Sequence, residues 1–133
     1  MSKCPCGSNI AFDECCSRYI SGSQHAETPE ALMRSRYSAY TIADISYIKS
    51  TMKGKASENY DEVAAGEWAR NIGWLGLTVL KSSIEDDNKG FVEFVARYEH
   101  DGNFQKIHEN SEFHKVNGLW YYVDGTLYPD NHG

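Results

Sequence analysis

The chain has 133 residues, 41% hydrophobic and 24% charged, which suits one soluble domain with a small appendage. Its net charge of −6 supplies no general attraction to nucleic acid or to an anionic membrane. No apolar run approaches a membrane span and no signal-like region opens the chain, so a cytoplasmic protein with reduced thiols is expected.

All four cysteines lie at the start, as Cys4, Cys6, Cys15 and Cys16, in the pattern C-x-C-x8-C-C. Four soft thiolates at this spacing suit one tetrahedral Zn²⁺ in a closed, structural shell. Cys4 and Cys6 would clamp from a tight turn, with Gly7 permitting close backbone approach. Residues 11–20 read as a short helix carrying Cys15 and Cys16. Adjacent helical residues point about 100° apart, so both reach one ion only near a helix end. Lys3 and Arg18 would offset the charge of about −2 on such a centre. A Cys15–Cys16 disulfide would be strained. Catalytic thiols favour C-x-x-C or a lone activated cysteine, and neither is present. An iron–sulfur cluster could use four thiols but has no other support.

The string CPCGS-x-x-x-F-x-x-CC resembles the SEC-C motif over residues 2–20. That motif is best known as the zinc-binding tail of the bacterial translocase ATPase, where it contacts a chaperone and the ribosome. The resemblance implies a zinc knob that docks a ribosome- or translocation-associated protein partner.

Residues 21–27 are small and polar and read as a linker. Thr28-Pro29-Glu30 opens a helix running through Ala43, with Leu32, Arg36, Ala39, Tyr40 and Ala43 on one face. Asp44 caps a second short helix over 44–52. Residues 53–59 form a loop, and 60–72 read as a third helix with Val63, Trp68 and Ile72 as apolar positions; Gly66 weakens it. Strands follow over 74–84, 91–98, 104–116 and 119–123. The turns between them lie at 87–90, Asp101-Gly102 and Asn117-Gly118. Three helices before about four antiparallel strands make an α+β domain.

Ala31-Leu32-Met33-Arg34-Ser35-Arg36-Tyr37-Ser38-Ala39-Tyr40 looks like the signature of the bacterial YchJ-like family. Trp74-Leu75-Gly76-Leu77 and Trp120-Tyr121-Tyr122-Val123-Asp124-Gly125 are similar to later family segments. This resemblance implies a SEC-C motif before a nuclear-transport-factor-2-like (cystatin-like) cone, in which helices cover the concave face of a curved antiparallel sheet. The divisions are then 1–20 zinc motif, 21–27 linker, 28–129 cone domain and 130–133 tail. Many members carry a second SEC-C motif at the C-terminus. The ending Pro129-Asp130-Asn131-His132-Gly133 shows none, so a function needing two such modules is not expected. The resemblance implies fold and metal but no reaction.

The strand over 106–116 alternates. Ile107, Glu109, Ser111 and Phe113 should face inward, and Lys106, His108, Asn110, Glu112 and His114 outward. Glu109 is then buried beside Ser111 and needs a partner. Arg34 and Arg36 lie about 200° apart on their helix, so Arg36, on the Leu32–Tyr40 face, is the candidate for an ion pair joining helix to sheet. The functional alternative is a pocket that binds a small molecule or does acid/base chemistry as an enzyme, with Arg36, Tyr40, Trp68, Glu109 and Ser111 inside. Trp68, Trp74, Trp120 and Tyr122 could line it, although aromatics among strands are more often core. His108 and Glu109 point to opposite faces and form no dyad. His108 and His114 are too far apart to share a metal. Glu93 reads as a solvated outward charge, and His25, His100 and His132 as solvated loop or tail residues. Phosphate-loop, dinucleotide-binding and hydrolase motifs are absent, as is any complete catalytic constellation. A basic cluster of Lys3, Arg18, Arg34 and Arg36 is too sparse, in an acidic chain, to favour nucleic acid.

Overall fold

The protein is described by a computed structural model over residues 3–58 and 60–128. Asn59 of the expected loop, and the expected tail with His132, lie outside the described residues. The chain begins with a hairpin-like knuckle in which Lys3 bridges Ala11 and the Cys4 N–H donates to the Ile10 carbonyl. A 3₁₀ turn follows at Phe12–Glu14, then α1 at Ser17–Ile20. The continuous helix expected over 11–20 is therefore broken. Cys15 ends the first turn with φ −123° and ψ −112°, and Cys16 opens α1.

Helix α2 spans Pro29–Thr41, with the Thr28 hydroxyl accepting from the Ala31 N–H and Pro29 in its first turn. It stops two residues before Ala43. There the Asp44 N–H bonds the Ala39 carbonyl and the Ala43 N–H bonds the Tyr40 carbonyl, a Schellman closure. Ala43 occupies its left-handed position at φ 54°. Helices α3 (Ile45–Ser50) and α4 (Glu62–Arg70) are capped by the carboxylates of Asp44 and Asp61. The apolar face expected for the third helix needs correction. Val63 is 71% exposed, whereas Ala69, Ile72 and the glycine that weakened the reading, Gly66, are buried. Gly66 lies against the Ile45 side chain, so α4 packs with its small residues.

Four antiparallel strands follow in the order β1-β2-β3-β4: Gly73–Asp86, Lys89–His100, Asn103–Val116 and Leu119–Leu127. Asp101-Gly102 and Asn117-Gly118 take positive φ at both positions, the tight hairpin turn that matches strand twist. Bulges interrupt β1 at three places and the β3–β4 pairing at one, and bulges bend a sheet. The α+β architecture with a curved antiparallel sheet agrees with the expectation. The inner face of the sheet supplies Leu77, Val92, Phe94, Ala96, Phe113 and Trp120, which pack with Leu32, Met33 and Tyr37 of α2. All four cysteines belong to this same core. The knuckle is thus packed into the domain, while residues 21–25 run exposed between them. A smaller cluster of Ala39, Ile48 and Met52 seats α3 beside α2. Among the described residues no helix is long and apolar enough to cross a membrane.

Ala43 offers a direct check on the helix closure. Ala43→Gly is expected to raise the unfolding free energy by about 0.5–1 kcal/mol, the relief of left-handed strain less the extra chain entropy of glycine. Urea unfolding measures it, and a lower stability would instead give the Ala43 methyl a packing role.

Candidate metal centre and small-molecule cavity

The break between Cys15 and Cys16 turns two adjacent side chains toward one point. Cys4 and Cys6 reach it from the knuckle turn, where Gly7 has φ 86° and sits so close to the Leu77 carbonyl that a Cβ would lie 3.1 Å from it. The four buried sulfurs all lie within 4.8 Å of one another. Cys6 and Cys15 Sγ are 3.7 Å apart, and Cys15 and Cys16 Sγ 4.0 Å, so the thiols are free rather than bridged. A tetrahedron with metal–sulfur bonds of about 2.3 Å has edges of about 3.8 Å. The residues present fit a metal ion. They are the only group of three or more such ligands among the described residues.

Local hydrogen bonds favour ionisation of one thiol of the cluster, Cys6. The Cys6 thiol is pulled down to about 4, first by a hydrogen bond from Cys16 and further by Ser8, against the effect of burial. Cys16 is pushed up because it donates to Cys6 and is itself buried. Burial also raises Cys15. The cations around the cluster are not the expected ones alone. Arg18 Nε donates to the Cys15 carbonyl at 3.0 Å, but Lys3 Nζ reaches the Asn9 carbonyl. Arg34 makes the link from the domain: its Nη1 donates to the Cys6 carbonyl at 2.7 Å and its Nε to Glu30 at 2.9 Å. Glu30 in turn accepts from Ser82 of β1, and the Ser38 hydroxyl lies 3.4 Å from Cys4 Sγ. Glu30, Arg34 and Ser38 form an i, i+4, i+8 stripe on α2, a polar row in the sequence that could have signalled this contact.

The opposite side of α2 borders a cavity of about 170 Å³ against the sheet. Arg36, Tyr40, Trp68, Glu109 and Ser111 all border it. So do Trp74 and Tyr122, whereas Trp120 is buried on the knuckle side with its indole N–H on the Glu27 carbonyl. Trp68 stands at the rim, 36% exposed. A larger cleft of about 440 Å³ lies between the knuckle, α3 and β4. It runs beside the linker, edged by Gln24, His25 and Asp44 as well as by Tyr19, Tyr47 and Trp120. The smaller cavity joins apolar walls to convergent polar groups, as a binding site does.

The expected Arg36–Glu109 ion pair is not formed. Arg36 Nη1 instead donates to the Ile48 carbonyl at 2.8 Å and the Thr51 hydroxyl at 2.6 Å, at the C-terminal end of α3, where carbonyls lack helical partners. Its guanidinium stacks on the Tyr122 ring, 4.8 Å from the centroid. The Tyr122 hydroxyl donates to Glu109 Oε2 at 2.9 Å, and Ser111 donates to the same oxygen at 2.6 Å. The tyrosine therefore stands between the two charges. Burial, and then the charge of Glu109, raise the Tyr122 pKa and keep its proton in place. On the outer face Glu93 also departs from expectation, since it pairs with His108 Nε2 at 2.7 Å. His114 pairs with Glu112, while His25 and His100 are exposed.

Gly125 of β4 was not singled out from the sequence, yet Glu109 depends on it. A Cβ there would overlap the Glu109 carboxylate and the Tyr122 hydroxyl. Gly125→Ala is expected to cost about 1–3 kcal/mol. Denaturant unfolding of the single variants and of the Gly125→Ala, Glu109→Ala double variant tests this, because removing the carboxylate should recover part of the loss.

Comparison with known proteins agrees with this geometry. Residues 28–125 match the family model described as the YchJ middle NTF2-like domain. A UPF0225 protein of Geobacter sulfurreducens is 44% identical over 124 residues, covering 92% of this chain and 77% of its own length. Two solved structures are similar. One is a SEC-C motif containing protein from Rhodopseudomonas palustris, with TM-score 0.86 and 38% identity over 95% of this chain and 98% of that one. The other is a SEC-C motif containing protein from Psychrobacter arcticus, with TM-score 0.81 and 28% identity over 96% of this chain and 84% of that one. With its cysteine knuckle packed against this domain, the chain belongs to the YchJ-like family.

Proposed function

We propose that the protein is a zinc-stabilised small-molecule-binding domain. The observation that carries the reading is the cavity, whose aromatic walls end on two charged side chains that are not spent on each other. Zinc is the metal that four soft thiolates in a closed shell favour. Its role is structural, because the knuckle packs on the helix that also borders the cavity. Four unbridged thiols support a reducing, cytoplasmic setting.

Elemental analysis of the natively purified protein is expected to give one zinc per chain and no visible iron–sulfur absorbance. Zinc at about a hundred times its Kd adds ~2.7 kcal/mol to stability, so chelation or Cys6→Ser should lower the melting temperature of the whole domain. Acid should release the metal, since protons compete for the thiolates. Unchanged melting after chelation would remove the structural role. Native mass spectrometry tests the cavity. Ala96→Leu, which adds three carbons at its wall, should abolish any ligand retained by the wild type. Retention by a folded Ala96→Leu variant would place that ligand elsewhere.

A second reading has the knuckle dock a ribosome- or translocation-associated protein. It is favoured by Ile10, an apolar side chain 47% exposed on the knuckle between the two cysteine pairs. Ile10→Asp should then weaken co-sedimentation with ribosomes without loss of zinc, and equal co-sedimentation would end this reading.

A further inference from the structure

We infer that the cavity takes an uncharged molecule of single-ring size whose polar edge pairs one hydrogen-bond acceptor with one donor, as in a carboxamide or lactam; this rests on the cavity being a binding site. Size sets the first limit. The cavity holds about 170 Å³, and a cavity of about 150 Å³ accommodates one benzene ring. Its walls set the second. Trp74 meets Tyr37 at 5.6 Å and 84° and Trp68 at 5.3 Å and 85°, and its indole N–H is tied to the Ala69 carbonyl. These interlocked rings cannot easily rotate, and they present aromatic faces and edges suited to a flat ring.

The polar floor sets the third limit. Arg36 is only 5% exposed and uses Nη1 for both of its hydrogen bonds. Glu109 uses Oε2 for both of its own. Arg36 Nε and Nη2 and Glu109 Oε1 have no protein partner among the described residues. No buried side-chain nitrogen or oxygen there lacks a partner, so these atoms open onto accessible space. The cavity is the space that both residues border.

The two charges cancel. A bound anion would satisfy Arg36 but face Glu109, and a bound cation would satisfy Glu109 but face Arg36. Either brings like charges face to face beside the buried Arg36, which is costly. An uncharged edge avoids both. Its carbonyl oxygen accepts from Arg36 while its N–H donates to Glu109 Oε1, and Tyr122 keeps the two receiving groups apart.

Four probes with one ring and different edges test this on the zinc-loaded full chain: benzamide, benzoate, benzamidine and toluene. Binding is read from the indole N–H resonances of Trp68 and Trp74. Benzamide is expected to bind at least about tenfold tighter than each of the others, because only it satisfies both polar groups. Glu109→Gln keeps the volume and leaves the floor cationic, so it should shift the preference toward benzoate. Benzoate, benzamidine or toluene matching benzamide in the wild type would overturn the amide-edge assignment and leave the cavity a binding site. If no probe moves either indole resonance at millimolar concentration, the cavity reading falls with it.

Discussion

Eight of the thirteen residues of helix α2 are buried. The knuckle, α3 and the inner sheet face pack around it, so each buried polar side chain on it must find a partner inside the protein. They address two neighbours on different sides. Arg34 and Ser38 hold the knuckle, Ser35 meets the Tyr47 hydroxyl of α3 at 2.6 Å, and Arg36 closes the end of α3. Leu32, Met33 and Tyr37 fill the space against the sheet. A hydrophobic helix of the same shape could pack there, but it could not specify which element lies on which side. The polar partners supply that specification.

This arrangement ties the cysteine cluster to the cavity through one helix and a shared core. Arg34 and Ser38 stand on one side of α2 and Met33, Arg36, Tyr37 and Tyr40 on another. A shift of the helix toward or away from the knuckle changes both sites together. The cysteine cluster is therefore a positional constraint on the wall of the cavity, whose floor carries Arg36, Glu109 and Tyr122. Gly125 matters for the same reason, because it leaves room for the one carboxylate on the floor.

Local rules made much of this legible. Thr28-Pro29 and Asp44 marked helix starts, Asp-Gly and Asn-Gly marked turns, and alternation placed Glu109 and Ser111 on the inner face. The same rules failed where burial was not one-sided. For α2 one face of Leu32, Arg36, Ala39, Tyr40 and Ala43 is expected, but Met33, Ser35, Tyr37 and Ser38 are buried on its other sides too. In α4 the small Gly66 and Ala69 make the contact, and Val63 faces water, so hydrophobicity alone chose the wrong face. Strand β4 runs four residues past Val123, through Asp124, Gly125 and Thr126, because pairing with β3 outweighs their weak strand preference. The Arg36–Glu109 pair was reasoned from opposite charges on facing elements. A carbonyl and a hydroxyl at the end of α3, which no sequence pattern advertises, and an intervening tyrosine displace it.

The bulges of β1 have a consequence beyond curvature. They divide its pairing register into short stretches such as Gly76 to Val79 and Lys81 to Ile84. At the other end of the sheet, residues 51–53 bond to Tyr122 and cover part of the β4 edge. An incoming strand from another molecule would find no long, flat row of donors and acceptors to copy. The exposed Leu75, Leu80 and Ile84 along β1 are thereby kept from seeding edge-to-edge aggregation, even in a concentrated solution of the protein.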